Sequence, residues 1–419
     1  MLNVTEGSSR LRAAHTTVET CRAGGGELID VLSLGDQVLT GIFPRVGEQI
    51  GSAPLTLAWS PNSGLLQLRH SCSLVEMYGD NYGYRTGLNG SMVRHVERKV
   101  AGLKQQAKLA PGDVVLDIGS NDGTLLGCYG DEFVRVGIDP TIKKFGHYYQ
   151  PGIHKVADFF SADRFRDVVG GRKASVITSL AMFYDLEDPI GFAEQVGDCL
   201  APDGIWHLEM HYLGAMLRDG VYDAVCHEHL EYYSLTSLCK ILNAAGFYVA
   251  DLRVNEVNGG SLAITARKQT GVERACPYAA WLFAEEARLG EGTREPFDRF
   301  AARVERHRES LRGLLERLNE AGKRVIAYGA STKGNVVLQY CGIGPELVQA
   351  VAEVNPDKFG CVTPGSNIPI ISEAEARAMR PDYFLVLPWH FRTGLIERER
   401  EYLASGGRMI FPFPSVEIV

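Results

Sequence analysis

Val114-Val115-Leu116-Asp117-Ile118-Gly119-Ser120-Asn121-Asp122-Gly123-Thr124 carries more structural information than any other stretch of this chain. The apolar residues 114–116 end a strand. Asp117 opens a loop in which Gly119 and Gly123 let the backbone approach a ligand closely. A second apolar run, 134–138, predicts another strand, ending at Asp139 and Pro140. This order suits the first two β-α units of an open α/β sheet, with a ligand at the carboxyl ends of the strands. An acid closing the second strand can accept hydrogen bonds from a ribose.

Working outward, the loop reads Asp-x-Gly-x-Asn-Asp-Gly, not the Gly-x-Gly-x-x-Gly of dinucleotide folds. An acidic lead residue suits a cationic amino-acid end better than a pyrophosphate. The expected ligand is therefore S-adenosyl-L-methionine (SAM), with S-adenosylhomocysteine as its product. Asp117, Gly119, Asn121, Asp122 and Gly123 are expected around the methionine end, and Asp139 with Pro140 at the ribose. Asp158 and Phe159 are expected to bracket the adenine, with Leu180 under the sulfonium. Tyr82 and Tyr84, within Asn81-Tyr82-Gly83-Tyr84-Arg85, fit either a pocket wall or a surface turn.

Four regions follow from the pattern. Residues 1–88 are glycine-rich with short apolar runs, and 38–43 and 65–68 read as strands. Residues 89–275 open with a helix over 90–107 and then alternate strands and helices, with strands at 113–118, 134–138, 175–180, 204–210 and 261–266. This is an α/β pattern with a parallel sheet. Residues 276–322 read as a charged helical connector, more a solvated link than a partner surface. Residues 323–419 read as a second α/β unit, with strands beginning near 323, 348 and 383.

Three constellations carry chemistry. In Cys226-His227-Glu228-His229-Leu230-Glu231-Tyr232-Tyr233, two histidines flank a glutamate. A helical zinc-protease motif needs histidines at i and i+4; at i and i+2 they cannot share a helix face. No metal is assigned. General acid–base work suits the group better, since histidine titrates near neutrality and a carboxylate can tune it. A helix-capping connection is the bland alternative. The second constellation, Tyr328-Gly329-Ala330-Ser331-Thr332-Lys333-Gly334-Asn335, follows a strand and opens a helix. It fits a phosphate cradle or an ordinary β-α turn. The third is the Tyr82–Tyr84 pair.

Taken together, Asp117–Thr124, Gly137-Ile138-Asp139-Pro140, His227-Glu228-His229 with Tyr232 and Tyr233, Asn258-Gly259-Gly260-Ser261, Tyr328–Asn335 and Pro364-Gly365 resemble one family. It is the SAM-dependent sugar C-methyltransferases of deoxysugar biosynthesis, and the resemblance spans nearly the whole chain. It implies a small N-terminal zinc-binding domain, a central Rossmann-like SAM domain and a C-terminal Rossmann-like α/β domain, with a nucleotide sugar (dTDP or GDP) between the last two. It implies methylation of a carbon next to the ketone of a nucleotide-linked keto-deoxysugar. His229 is then the expected base, Glu228 its tuner, and His227 a neighbour of the keto group. Asn258, Ser331, Lys333, Asn335, Trp389 and His390 are the expected substrate contacts, with Ser331, Lys333 and Asn335 near the diphosphate. Cys226 stands where the family often has tyrosine, and Tyr184 is the expected substitute phenol. The family's Cys-x2-Cys knuckles are degenerate here. Cys21 survives alone, and 59–63 holds no cysteine. One sulfur cannot close a four-ligand zinc site, so zinc is not expected. Leu28, Val31, Leu32, Leu34 and Leu39 are expected to hold the domain instead. Epimerisation on the same scaffold, methyl transfer to oxygen, nitrogen or another carbonyl compound, and a non-catalytic binding role remain as alternatives.

Bulk properties exclude other classes. A net charge of −8 lacks the basic footprint of nucleic-acid binding. No apolar run reaches the roughly 18 residues of a membrane span. The N-terminus has no basic-then-apolar signal pattern. Nine scattered cysteines then read as reduced thiols in a cytoplasm. Oligomeric state is left open.

Overall fold

The computed structural model describes residues 12–73, 77, 82–271, 276–290 and 292–419. Asn81, the first residue of the tyrosine loop, lies outside them. The N-terminal region is built from β1 (His15–Thr17), β2 (Ile29–Val38), β3 (Ser52–Trp59), β4 (Leu66–Leu68) and β5 (His70–Cys72). β1 pairs with β5, and β2, β3 and β4 form an antiparallel sheet. The long strand β2 is absent from the sequence reading, and the strand expected over 38–43 is the turn that follows it. Gly35, at φ +74°, lies in a break in the β2–β3 register, which scrambles the alternation a strand needs to be recognised.

The central sheet follows the helix Gly90–Gln106. Asn89 caps that helix by accepting from the Ser91 amide, and Val96, Val100 and Leu103 form its buried face. Its strands are β6 (Val114–Ile118), β7 (Val134–Ile138), β8 (His154–Val156), β9 (Ala174–Leu180) and β10 (Leu200–His211). After β11 (Glu231–Tyr232) come β12 (Phe247–Asn255) and β13 (Ser261–Lys268). The spatial order is β12-β13-β10-β9-β6-β7-β8. The β6 to β10 members are parallel, and β13 runs against β10. Every residue of β6 is buried, as a strand covered on both faces requires.

The C-terminal sheet has the order β16-β15-β14-β17-β18-β19. Its strands are β14 (Val325–Tyr328), β15 (Val351–Glu353), β16 (Ile370–Ser372), β17 (Tyr383–Val386), β18 (Arg408–Phe411) and β19 (Glu417–Ile418). All neighbours are parallel except β18 and β19.

Two findings correct the sequence expectations. The 276–322 segment is core as much as link. Its helix Glu295–Glu320 buries Phe297, Phe300, Val304, Leu311 and Leu315 along one face. The N-terminal region, in turn, does not stand on its own leucines. Leu28, Leu34 and Leu39 are buried, but Val31 and Leu32 are only partly so. Leu34, Leu55, Leu57, Leu66 and Leu68 share one cluster with Leu311, Val336 and Leu385 of the connector and C-terminal unit. At the positions of the lost knuckles, the Cys21 thiol meets the Ser63 hydroxyl at 3.1 Å. Arg22 reaches Leu68 O and Ser71 Oγ, both at 2.8 Å.

Candidate active site

A cavity of about 300 Å³ opens at the carboxyl ends of β6, β7, β9 and β10. Its wall includes Tyr82, Tyr84, Asp117, Gly119, Asn121, Asp139, Pro140, Phe159, Leu180, Tyr184 and Asn258, all anticipated from sequence. Gly119 takes φ +75°, and a Cβ there would come 3.0 Å from Met182, so the turn excludes side chains. The Asp117 carboxylate accepts from Thr178 Oγ1 at 2.5 Å. Burial pushes its pKa up to about 7, against that hydrogen bond. Asp139 accepts from the Asn121 amide at 2.8 Å and from Thr141 at 2.6 Å. Burial raises it too, with those bonds opposing.

Other expected ligand residues act at one remove. Asp122 does not line the cavity; its carboxylate accepts from Gly87 N and Thr124 Oγ1 and so shapes the loop. Gly123 makes room for Tyr149, whose ring atoms lie 2.8 Å from where a Cβ would be. Asp158 turns outward to Arg164 at 2.6 Å, because its side chain is half-exposed and the cation sits on the next helix. Phe160 lines the cavity beside Phe159 instead.

The cavity is acidic. Asp117, Asp139, Asp185, Glu187 and Glu209 all face it. Glu209 was not anticipated. It is held by His95 at 2.6 Å, Lys99 at 3.2 Å and Asn255 at 2.6 Å. Burial pushes Glu209 up, but the His95 hydrogen bond and the Lys99 charge outweigh it and hold the carboxyl at about 2. Such a lining fits a ligand bearing sulfonium and ammonium charges, with the β7 acid for its ribose.

The cavity floor adjoins a cluster of rings. Tyr184 lies 4.3 Å from the His229 ring, and His211 lies 5.7 Å from it. His211 ends β10 and lines the cavity. It was missed, although a polar residue at the carboxyl end of a predicted strand is the signal that marks such sites. His229 Nδ1 donates to Ala224 O at 2.8 Å, which leaves Nε2 as the lone-pair nitrogen. Burial lowers the His229 pKa to about 3, helped by Lys333, so the ring is neutral at pH 7.

Its two sequence neighbours face elsewhere. His227 is 1% exposed and meets Ala53 O of β3 at 3.1 Å, so it is not beside the ring cluster. Glu228 points at the Thr40–Gly41 turn, and a Cβ on Gly41 would sit 2.1 Å from its Oε1. The partner that orients His229 is Ala224 O. Residues 226–229 form a turn closed by His229 N donating to Cys226 O at 3.1 Å, which sends the three side chains in different directions, and Leu230 O is tied to Leu68 N at 2.8 Å just before β11 joins β4.

The C-terminal unit closes over this cluster. Lys333 Nζ donates to Asn258 O at 2.9 Å, and Trp389 Nε1 donates to Asp223 Oδ2 at 2.7 Å. Burial lowers Lys333 and raises Asp223, each opposed by the other's charge. His390 lies edge-on to Trp389. Ser331 caps its helix by accepting from Gly334 N at 3.0 Å. Asn335 does not face a ligand: it is fully buried and its Nδ2 donates to Thr40 O at 2.7 Å, locking the N-terminal turn.

Among the described residues, no group of three or more metal-ligating side chains is assembled, and no helix is long and apolar enough to cross a membrane.

The chain is similar to known methyltransferases along nearly its whole length. Residues 92–252 match the family model described as a methyltransferase domain. Residues 256–414 match the C-methyltransferase C-terminal domain. Among solved structures, magnesium protoporphyrin IX methyltransferase from Synechocystis PCC 6803 is 17% identical, with a TM-score of 0.34 over 46% of this chain and 91% of that one. A SAM-dependent methyltransferase from Clostridium acetobutylicum is 11% identical, with a TM-score of 0.32 over 42% and 92%. The C-methyltransferase NovU of Streptomyces niveus is 31% identical over 408 residues, covering 96% of this chain and 97% of that protein. With both domain types matched in order and a relative aligned almost end to end, this chain belongs to the SAM-dependent C-methyltransferases.

Proposed function

We propose that the acceptor is a nucleotide-linked keto-deoxysugar, dTDP- or GDP-linked, and that the methyl goes to the carbon next to its ketone. The observation that carries this is His229: a neutral imidazole with Nδ1 committed to Ala224 O and Nε2 available, set against Tyr184 and His211 on the wall of the acidic cavity. A carbon nucleophile needs a base, whereas a hydroxyl acceptor does not need carbon-acid chemistry.

Bound SAM supplies an electrophilic methyl, and Asp117, Gly119, Asn121 and Asp139 would hold it. His229 Nε2 takes the proton from the carbon acidified by the adjacent ketone. The enolate oxygen so formed needs donors nearby. The Tyr184 hydroxyl and the Lys333 ammonium, whose charge is felt at His229, are the donors in this reading, and Tyr184 stands in for the tyrosine expected at Cys226. Burial raises Tyr184 well above the ordinary phenol range, so it acts as a donor and not as a phenolate. Trp389 and Asp223 hold the C-terminal unit over the cluster and limit water. The N-terminal region, the SAM unit, the connector and the C-terminal unit divide near residues 88, 275 and 322 in this reading.

The test is product mass after incubation with SAM and a dTDP-linked 4-keto-6-deoxy sugar in heavy water. A gain of one methylene with release of S-adenosylhomocysteine, the methyl mapped to carbon, is the expected result. Deuterium uptake without methyl gain favours epimerisation, and methyl on oxygen removes the need for the base.

A further inference from the structure

A second cavity, about 220 Å³, lies where three distant parts of the chain meet. Phe43 and Arg45 come from the N-terminal region, Lys144 and Tyr148 from the SAM unit, and Asn355 to Lys358 from the C-terminal unit. The seam is stitched by backbone. Arg45 bridges to Cys361, and Val362 N donates to Pro44 O at 2.8 Å. Tyr82 lines this cavity as well as the SAM cavity, so the two adjoin at that residue.

The two cavities have opposite electrostatic character. The first is walled by carboxylates. The second carries four cations, Arg45, Arg85, Lys144 and Lys358, against two acids, Glu48 and Asp357. Among the described residues, no carboxylate pairs with Arg45, Arg85 or Lys358 within the 4.0 Å of an ion pair. Arg85 Cζ lies over the Tyr148 ring at 3.9 Å, and Lys358 Nζ lies over Phe43 at 4.1 Å. Tyr148 itself is 49% exposed. Lys358 is tethered to Ala330 O at 2.7 Å, and burial lowers its pKa, a cost that an arriving anion relieves.

We infer that this second cavity, not the Ser331–Asn335 loop, binds the nucleoside diphosphate half of the acceptor, with Arg45 and Arg85 as phosphate ligands and Tyr148 as a stacking face for the base. The inference rests on the proposed nucleotide-linked acceptor. Arginine forks suit phosphate oxygens, and an exposed ring gives a base a face. In the loop expected to cradle phosphate, Ser331 Oγ spends a lone pair on capping its helix and Asn335 Nδ2 is spent on Thr40 O, and the loop brings no arginine. A diphosphate in the second cavity leaves the sugar to pass Tyr82 toward His229, so a cationic methyl donor and an anionic acceptor enter separate chambers.

The test is calorimetric titration of the full chain, saturated with S-adenosylhomocysteine, by dTDP, GDP, dTMP and inorganic pyrophosphate. The expected order is a nucleoside diphosphate tighter than dTMP and tighter than pyrophosphate. The double variant Arg45→Gln/Arg85→Gln should weaken dTDP by about tenfold or more, raise KM for the nucleotide sugar and leave kcat and S-adenosylhomocysteine affinity near wild type. Tyr148→Ala should weaken dTDP but not pyrophosphate. Wild-type dTDP affinity in the arginine double variant overturns the inference, as does loss of dTDP binding in Ser331→Ala alone. Failure of the proposed acceptor looks different. A free keto sugar is then turned over as well as the nucleotide-linked one. Strong preference for the nucleotide-linked sugar with an unchanged KM in the arginine variant removes only the subsite.

Discussion

His229 shows how one backbone hydrogen bond can determine which atom of a side chain is left to accept a proton. With Nδ1 tied to Ala224 O, only Nε2 can accept a proton, and burial keeps it unprotonated across neutral pH. His229→Ala should lower kcat by about 10²–10⁴-fold, the usual range for a general base. Titration of S-adenosylhomocysteine should show unchanged affinity. His227→Ala should instead leave kcat near wild type and lower the melting temperature, since that ring serves Ala53 O. Asp117 makes a second prediction. Its pKa of about 7 lies above the unfolded value near 3.9. The group is therefore protonated in the folded chain at pH 6 and ionised at pH 8. Its contribution to stability is fully present below the unfolded pKa and is lost as pH rises through about 7. An ammonium ligand prefers the ionised form. S-adenosylhomocysteine affinity should rise between pH 6 and pH 8, as followed by calorimetry. Asp117→Asn should flatten that rise.

Among the secondary elements, the connector helices do more than link. Glu286 of the helix Pro277–Arg288 is 2% exposed. Its Oε1 accepts from Leu235 N at 2.7 Å and Tyr212 hydroxyl at 3.0 Å, and its Oε2 accepts from Thr236 N and Oγ1. One carboxylate thus caps the N-terminus of the helix Leu235–Ala244, where the helix dipole also favours an anion. Glu286→Ala should destabilise the chain by about 1–3 kcal/mol, the cost of leaving buried donors unsatisfied. Chemical denaturation would measure it, with KM for either substrate unchanged. The charge run at 276–322 reads as solvated because its polar face dominates the composition; the buried stripe at Phe297, Phe300, Val304, Leu311 and Leu315 becomes visible only when counted at helical spacing.

For the whole molecule, the N-terminal region is a wedge. Its sheet is completed by β11, which comes directly after His229, and its turn at Thr40 is held by Asn335 of the C-terminal unit. Gln339 doubles that clasp, exchanging hydrogen bonds with Val38 N and O at 2.8 and 3.1 Å. The region therefore orders the segment carrying His229 without a closed set of zinc sulfurs. Asn335→Ala should lower the melting temperature, with about 1–3 kcal/mol lost at the buried Thr40 carbonyl. It should leave dTDP affinity within about twofold, since the amide spends its donor on the protein.

The sequence by itself determined the central sheet and the identity of its ligand loop. Continuous apolar runs, glycines at forced positive φ and an acid closing the second strand are local, and their physical meaning does not depend on partners. It also determined that four zinc sulfurs are absent. The tertiary structure alone decided which chemistry-bearing residues meet. His227, Glu228 and His229 are adjacent in sequence, yet only His229 joins the ring cluster, because the hydrogen-bonded turn from Cys226 to His229 sends their side chains in different directions. Ser331 and Asn335 also take on structural work that the sequence does not show: Ser331 Oγ accepts from Gly334 N, and Asn335 Nδ2 donates to Thr40 O. Arg45, Arg85, Lys144 and Lys358 carry no common motif. They become one cationic chamber because three units, separated by most of the chain, pack around a single seam.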